Sequence, residues 1–355
     1  MNILFWVPYP VEGPSNRFRV SQYLPYLGLH GHQYRLRPFW NSRAYSVLYK
    51  KGRYIEKIVY FLCGIFNRFI DLFSIFKYNA IFIHREACPF GPPFFEWLVY
   101  KFKKQIIFDF DDAIFLQNVN PANSMCSFLK IPSKTKKIIK MSKSVIVANR
   151  FLEEYARRFN ACVYLVPTPI DTEKFTMSKK DSGQIIIGWI GSPTTAPYLR
   201  IVFNVMQALS RNYSFVFKVI GAGEPVSIPG VKVENHSWCL EREVRDFQGI
   251  DIGIYPLADT LWAQGKAAFK AIQYMAVAVP VVASPVGMAR EMIADNINGF
   301  MAGSEEEWIE KISRLIEDPE LRKKIGLAGR KTVEEKFSVK VNLPRFLDAI
   351  NLRAG

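Results

Sequence analysis

Short apolar runs bounded by polar, Pro or Gly positions recur along the whole chain, and helix-length stretches separate them. A first series comprises Ile3–Val7, Tyr34–Pro38, Ala80–Ile83, Gln105–Phe110, Ser144–Val147 and Val163–Val166. A second comprises Gln184–Ile190, Phe215–Ile220, Val231–Glu234, Asp251–Tyr255, Pro280–Ser284 and Gly299–Ala302. Runs this continuously apolar predict strands buried on both faces, so the fold class is α/β with parallel sheets covered by helices. Two series predict two doubly wound, Rossmann-like domains of about 150 residues each. Pro167-Thr168-Pro169-Ile170-Asp171 ends the first series, and the polar stretch Met177–Gly183 precedes the next strand. The expected layout is 1–170 for the first domain and 171–337 for the second. After Ser338, the spacing of Val339, Val341, Leu343, Phe346, Leu347, Ile350 and Leu352 predicts a last helix within 338–355.

Two segments bear on membranes. Met1–Val7 reads as a first strand rather than a signal peptide, because no basic region precedes it and Pro8 and Pro10 cut the apolar run short. Ile55–Tyr78 is rich in Phe and Ile but contains Glu56, Lys57, Arg68, Asp71 and Lys77. That content is too polar for a span and predicts a buried or interfacial amphipathic helix.

The charge is lopsided. Of the formal net charge of +15, residues 1–168 carry +14 and residues 169–355 carry +1. The basic half points to an anionic partner: phospholipid, a lipid-linked diphosphate or nucleic acid. No nucleic-acid-binding motif accompanies the charge, so nucleic acid is not expected. The five cysteines (Cys63, Cys88, Cys126, Cys162, Cys239) form no C-x-x-C and predict a reducing compartment. The four histidines include no metal-ligand pair at helical spacing.

In doubly wound sheets ligands sit beyond the carboxyl ends of the strands, so residues just after each run are the candidates. Pro8–Arg19 follows the first run and is not G-x-G-x-x-G, which excludes an ordinary dinucleotide site there. Ser15 is read as the N-cap of a helix through Tyr26, placing Arg17 and Arg19 in its first turn as candidates for an acceptor or donor phosphate, against a reading as solvated arginines. His84 follows the third run. Asp111 and Asp112 close the fourth among aromatics, and adjacent carboxylates repel, which favours a functional role over simple capping. Gly191 and Ser192 follow the first run of the second domain, where a glycine permits close approach of a phosphate. Tyr255 closes the buried run Asp251–Tyr255 and Trp262 follows in the next loop, as candidate ligand-facing aromatics against a reading as core packing.

The most specific stretch runs from Gly265-Lys266-Ala267-Ala268-Phe269-Lys270 through Gln273-Tyr274-Met275-Ala276 to Val279-Pro280-Val281-Val282-Ala283-Ser284-Pro285-Val286-Gly287. Read as turn, helix, tight turn and buried strand, it puts Lys266 and Lys270 four apart at a helix N-terminus, suited to a diphosphate. This stretch resembles the nucleotide-sugar site of the GT-B glycosyltransferases, specifically the large retaining family 4 (glycosyl transferases group 1). The resemblance implies two Rossmann-like domains facing a cleft and a last helix that crosses back to the first domain. It places Gly265 and Gln273 where that family carries two glutamates, Ser192 where it carries Arg, and Asp111 where a His usually meets the donor sugar.

The implied function is transfer of a sugar from a nucleotide-diphosphate sugar to a hydroxyl acceptor, with retention. The acceptor is expected to be a glycan or polyprenyl-linked glycan in bacterial surface polysaccharide synthesis. No cofactor or required metal is expected. The expected location is cytoplasmic, peripheral at an anionic inner membrane face. The alternatives are an inactive GT-B nucleotide- or glycan-binding module and a GT-B sugar-nucleotide epimerase or hydrolase.

Overall fold

The computed structural model describes residues 1–48, 50, 52–116, 131–177 and 183–351. Cys126, Leu352 and most of the polar stretch Met177–Gly183 lie outside the described residues. The chain divides into two compact units: Met1–Pro169 with the chain from Asn342 onward, and Ile170–Val341.

The first unit is built on β1 (Asn2–Val7), β2 (Gln33–Pro38), β3 (Ala80–His84), β4 (Gln105–Phe110), β5 (Ser144–Val147) and β6 (Val163–Leu165). They form one parallel sheet in the order β2-β1-β3-β4-β5-β6. The second unit has β7 (Ile185–Ile190), β8 (Phe215–Ile220), β9 (Val233–His236), β10 (Ile252–Tyr255), β11 (Val281–Ala283) and β12 (Phe300–Met301). Its parallel order is β12-β11-β10-β7-β8-β9. All twelve apolar runs are strands, and β1, β3 and β4 are buried along almost their whole length. That is the physical content of the continuous hydrophobic pattern: helices cover both faces, so polar positions cannot alternate.

Several helices differ from expectation. The helix expected through Tyr26 is broken. It runs Pro14–Arg19, starting from Gly13 with no side-chain cap, so Ser15 is not the N-cap. A 3-10 turn (Ser21–Tyr23) and a second helix (Leu24–Leu29) follow. Pro14 fixes the first start, and Pro25, lacking an N–H, cannot continue a helix from the first.

Helix Tyr54–Ser74 is fastened to the sheet on one side only. Asp71 accepts hydrogen bonds from Trp6 Nε1 at 3.1 Å, Arg37 Nε at 2.7 Å and Arg68 Nη1 at 3.2 Å. Arg68 also donates to the carbonyls of Ala87 and Val7. Burial pulls its guanidinium down to about 10, with Asp71 opposing the shift. Gly64 lies against Phe39, where a Cβ would come within 2.6 Å of the ring.

From Asn342 onward the helix Val339–Asn351 supplies the last piece of the first unit. Phe346 stacks on Tyr23 with ring centres 3.9 Å apart and lies 5.8 Å from Phe82, and the Ser144 hydroxyl donates to the Ala349 carbonyl at 2.9 Å.

In the second unit, helix Pro319–Lys336 approaches the turn after helix Phe269–Ala276 through Gly326. A Cβ there would sit 2.1 Å from the Ala278 carbonyl oxygen. Gly→Ala in an open helix interior gains about 1 kcal/mol. Overpacking against a backbone atom that cannot rotate away costs about 1–3 kcal/mol. Gly326→Ala is therefore expected to lower the urea midpoint of the second unit; an unchanged or raised midpoint would show that the two segments can separate freely.

Candidate functional site

In the first unit the parallel register sets His84, the last residue of β3, beside Asp109 of β4. His84 Nδ1 lies 2.6 Å from Asp109 Oδ2, and both side chains are fully buried. An ionised carboxylate only accepts, so Nδ1 donates to Asp109 and the ring is held with Nε2 on its far side. Nε2 has no hydrogen-bond partner among the described residues; Asp111 Oδ1 is 3.9 Å away.

Arg85 follows in a left-handed conformation (φ 61°), a state that costs about 1–2 kcal/mol for a residue with a side chain. Its backbone N–H donates to the Asp109 carbonyl at 2.7 Å. That placement lets the guanidinium reach both adjacent carboxylates, Asp111 Oδ1 at 2.7 Å and Asp112 Oδ2 at 2.5 Å. Burial alone would raise Asp111, but Arg85, His84 and Arg19 outweigh it and hold the carboxyl well below its ordinary range. The same carboxylates outweigh burial at Arg85 and raise its guanidinium. The repulsion expected between Asp111 and Asp112 is thus offset by a cation that the sequence reading gave no role.

Arg19 is not at the surface. Its guanidinium is buried and forms an ion pair with Asp109, with a further bond to the Val166 carbonyl at 2.7 Å. The expectation of a phosphate-gripping Arg19 assumed a solvent-facing first turn; the charge is instead spent on a carboxylate ninety residues away. Arg17 donates to the carbonyls of Val11 and Glu12 at 3.1 Å each and so braces its own loop. The structure therefore gathers His84, Asp111 and Asp112 with Arg85, Asp109 and Arg19, and leaves Arg17 with its loop.

In the second unit β7 ends at Ile190, and Gly191 and Ser192 begin the turn. A Cβ on Gly191 would lie 2.2 Å from the Trp189 ring. Gly221, with φ 82°, lies where a Cβ would be 2.5 Å from the Gly191 carbonyl oxygen. Glycines thus bring the ends of β7 and β8 together. The Ser192 carbonyl, rather than its hydroxyl, accepts from Thr195 N and Ala196 N; the hydroxyl lies 2.8 Å from Thr194 Oγ1.

The expected single helix carrying both lysines is two helices. Thr260 caps Leu261–Gln264 by accepting from Ala263 N at 3.2 Å, and Gly265 ends it. Ala268, with φ 47°, then starts Phe269–Ala276. Lys266 therefore sits in the connecting turn, its Nζ 5.7 Å from the Trp262 ring centre, and does not share a helix face with Lys270. The break is set by left-handed backbone at a non-glycine residue, a strain that clusters at functional sites. Lys270 Nζ lies 2.9 Å from Gln273 Oε1 and 5.4 Å from the Phe247 ring centre. Gln273 Nε2 donates to Glu243 Oε1 at 3.3 Å, and both residues are buried.

Tyr274 locks this helix to β7. Its hydroxyl donates to the Gly188 carbonyl at 3.0 Å and accepts from Ile190 N at 2.9 Å. Gly253 of β10 makes room: a Cβ there would meet the Tyr274 ring at 2.5 Å. Tyr255 ends β10, and its carbonyl accepts from Ser284 N at 3.1 Å. Gly287 lies against the carboxyl end of Leu261–Gln264, where a Cβ would be 2.7 Å from the Gln264 carbonyl oxygen. Gly191, Ser192 and Tyr255 thus lie at or just beyond strand ends of one sheet, Trp262, Gly265 and Lys266 lie in and just after helix Leu261–Gln264, and Lys270 and Gln273 lie in helix Phe269–Ala276. Glu243 and Tyr274 were missed by sequence reasoning. Tyr274 carried a signal: a phenol inside an otherwise apolar helix stripe needs a buried partner.

Residues 262–332 match the family model described as Glycosyl transferases group 1, which bears out the resemblance read from the same stretch. The chain is 30% identical over 76 residues to trehalose synthase of Pyrococcus horikoshii, covering 21% of this chain and 18% of that one. It is 23% identical over 252 residues to EpsD of Bacillus subtilis, assigned by name to the glycosyltransferases, covering 68% and 61%. The chain therefore spans less than two thirds of the length of each of these relatives. Among solved structures, sucrose-phosphate synthase of Thermosynechococcus elongatus superposes with a TM-score of 0.68 at 15% identity, covering 99% of both chains. A glycosyltransferase of Rickettsia africae gives 0.67 at 18% identity, covering 100% of this chain and 99% of that one. HepE of Anabaena in complex with UDP and glucose gives 0.67 at 12% identity, covering 99% and 100%. The fold is GT-B.

Proposed function

We propose that this chain is a glycosyltransferase that moves a sugar from a nucleotide-diphosphate sugar to a hydroxyl acceptor with retention. The acceptor would be a glycan or lipid-linked glycan of the kind made for bacterial surface polysaccharide. The observation that carries the reading is the coincidence of two things. The segment matching Glycosyl transferases group 1 includes the helix Phe269–Ala276, and that helix is pinned by Tyr274 to the end of β7, the strand end that carries Gly191 and Ser192. HepE, of the same fold, binds UDP and glucose.

In this reading the second unit holds the donor. Lys266, Lys270 and the backbone beyond Gly191 meet the leaving diphosphate, where charge grows in the transition state. Gln273 fixes Lys270 through its 2.9 Å contact, and in this reading it would also meet a ribose hydroxyl. Trp262 and Tyr255 offer aromatic surface for a base. The first unit holds the acceptor. His84 is oriented by Asp109 with Nε2 unbonded among the described residues, and Asp111 and Asp112 accept hydroxyl hydrogen bonds, Arg85 holding Asp111 ionised. The reading calls on no metal or cofactor.

One feature favours a second reading. Gly265 carries no side chain where a glutamate was expected from the family resemblance, so an inactive binding module would share this geometry. A panel of nucleotide sugars separates the readings. The matching donor, at about 100 times its dissociation constant, is expected to add roughly 2.7 kcal/mol to stability and to release its nucleotide when acceptor is present. Stabilisation without release under any acceptor would leave only the binding module, and a panel with no stabilising member would remove both readings.

A further inference from the structure

Helix Tyr54–Ser74 has two stripes with opposite chemistry. Gly64, Arg68, Asp71 and Leu72 face the first unit and are buried. Ile55, Ile58, Leu62, Phe66, Phe69 and Phe73 recur at spacings of three and four and all point outward. Ile55 is 80% exposed, Phe66 66% and Phe73 87%. Such a stripe is costly in water at about 25 cal/mol per Å² of apolar surface.

The exposed surface does not stop at this helix. Phe69 meets Phe94 of helix Phe94–Lys101 with ring centres 6.2 Å apart, and Phe94 stacks towards Trp97 at 6.4 Å. Beyond the other end Phe76 meets Phe102 at 5.5 Å. Phe94, Trp97, Phe76 and Phe102 are each more than two fifths exposed. Monomeric soluble proteins seldom show a contiguous apolar surface of this extent without a partner.

The edge of the surface is cationic. Lys101 Nζ lies 5.7 Å from the Trp97 ring centre, Lys104 Nζ 5.6 Å from that of Phe76, and Lys57 Nζ 6.0 Å from that of Tyr54. The carboxylates of the two helices do not balance them. Glu56 is ion-paired with Arg53, and Asp71 and Glu96 are buried. A second copy docking on the same surface would set lysine against lysine. An anionic bilayer complements it: apolar rings enter the acyl boundary while lysines reach the headgroups.

We propose that the outward faces of helices Tyr54–Ser74 and Phe94–Lys101 dock this chain on an anionic lipid surface, lying in the interface. Contrary to the expectation that Glu56, Lys57, Arg68, Asp71 and Lys77 make this segment too polar for a span, the helix is long and apolar enough to cross a membrane by length and composition, because most of its charges lie outside one apolar window. Crossing would strip Asp71 from Trp6, Arg37 and Arg68 and pull the helix from the sheet it covers. The helix therefore lies on the membrane.

The test is flotation of the full chain with vesicles of phosphatidylcholine containing about 30% phosphatidylglycerol, against phosphatidylcholine alone. The chain is expected to float with the anionic vesicles and to be released by alkaline carbonate. Phe66→Glu/Phe73→Glu is expected to reduce the bound fraction about tenfold or more. Lys101→Glu is expected to reduce it on anionic vesicles at about 0.1 M salt, with the effect shrinking as salt rises. Thermal midpoints unchanged from the parent keep both variants informative, since every substituted side chain is exposed. Three results would overturn the proposal: no flotation, equal flotation of the parent and the Phe66/Phe73 variant, or resistance to carbonate extraction. A dimer in sedimentation that Phe73→Glu disperses, with no flotation, would reassign the surface to a second copy.

Discussion

Asp109→Ala is expected to cost about 3–5 kcal/mol of folding stability, because it strips the counter-charge from a buried guanidinium. Asp109 is fully buried between Arg19 and His84, and it accepts from both. Without it, Arg19 keeps the Val166 carbonyl and a long contact to Thr168 but no anion of its own. Denaturant unfolding of the variant measures the loss, and a shift below about 1 kcal/mol would show that water or movement relieves the charge. The double variant Asp109→Leu/Arg19→Met removes both charges together and is expected to lose less than Asp109→Ala alone.

The same carboxylates set the acid limb of stability. Burial alone would raise Asp109, but Arg19 and the His84 hydrogen bond outweigh it and bring the carboxyl below its ordinary 3.8. Asp111 is likewise held below its ordinary value, chiefly by Arg85. A carboxyl lowered on folding stabilises fully above its unfolded value and loses that stabilisation as pH falls towards the folded one. Stability should therefore fall steeply below about pH 4, and the Asp109→Ala variant should fall less steeply through the same range.

Lys270→Met is expected to lower turnover by about 10²–10³-fold on the donor that stabilises the chain, a magnitude typical of removing one group that meets developing charge. Methionine keeps most of the length of the side chain while deleting the ammonium that lies 5.4 Å from the Phe247 ring centre. The thermal midpoint should stay close to that of the parent, since Lys270 is only half-buried. Turnover within about tenfold of the parent would remove Lys270 from the diphosphate site. Lys270→Arg is expected to restore part of the loss, because charge returns with a different reach.

The strands were legible because burial on both faces leaves a residue sequence no polar alternative. Ile81, Phe82 and Ile83 could belong to nothing but a covered strand, and every such run proved to be one. The glycosyltransferase-like stretch was legible for a related reason, as its chemistry and its turn residues lie within one short segment of chain. What escaped was whatever depends on a distant partner. Arg19 reads as a surface cation until Asp109 is brought beside it by the β1-β3-β4 pairing. Asp111 and Asp112 read as a repelling pair until Arg85 turns left-handed and bridges them. The helix break at Ala268 escaped because no glycine or proline marks it; only the backbone dihedral reveals it. Helix Tyr54–Ser74 was read correctly as amphipathic, though which side would stay uncovered required the Asp71 contacts.

The Val339–Asn351 segment has a consequence for the order in which the molecule is made. Tyr23, Phe82 and Ser144 are translated early, yet their partners Phe346 and Ala349 leave the ribosome only after the entire second unit has been synthesised. The amino-terminal unit must therefore persist as an unfinished nascent body, with an aromatic seam open, while its neighbour is completed. Domains that fold during synthesis ordinarily do so in order from the amino end; here the later unit can reach its native state first, and chaperones would meet the earlier one last.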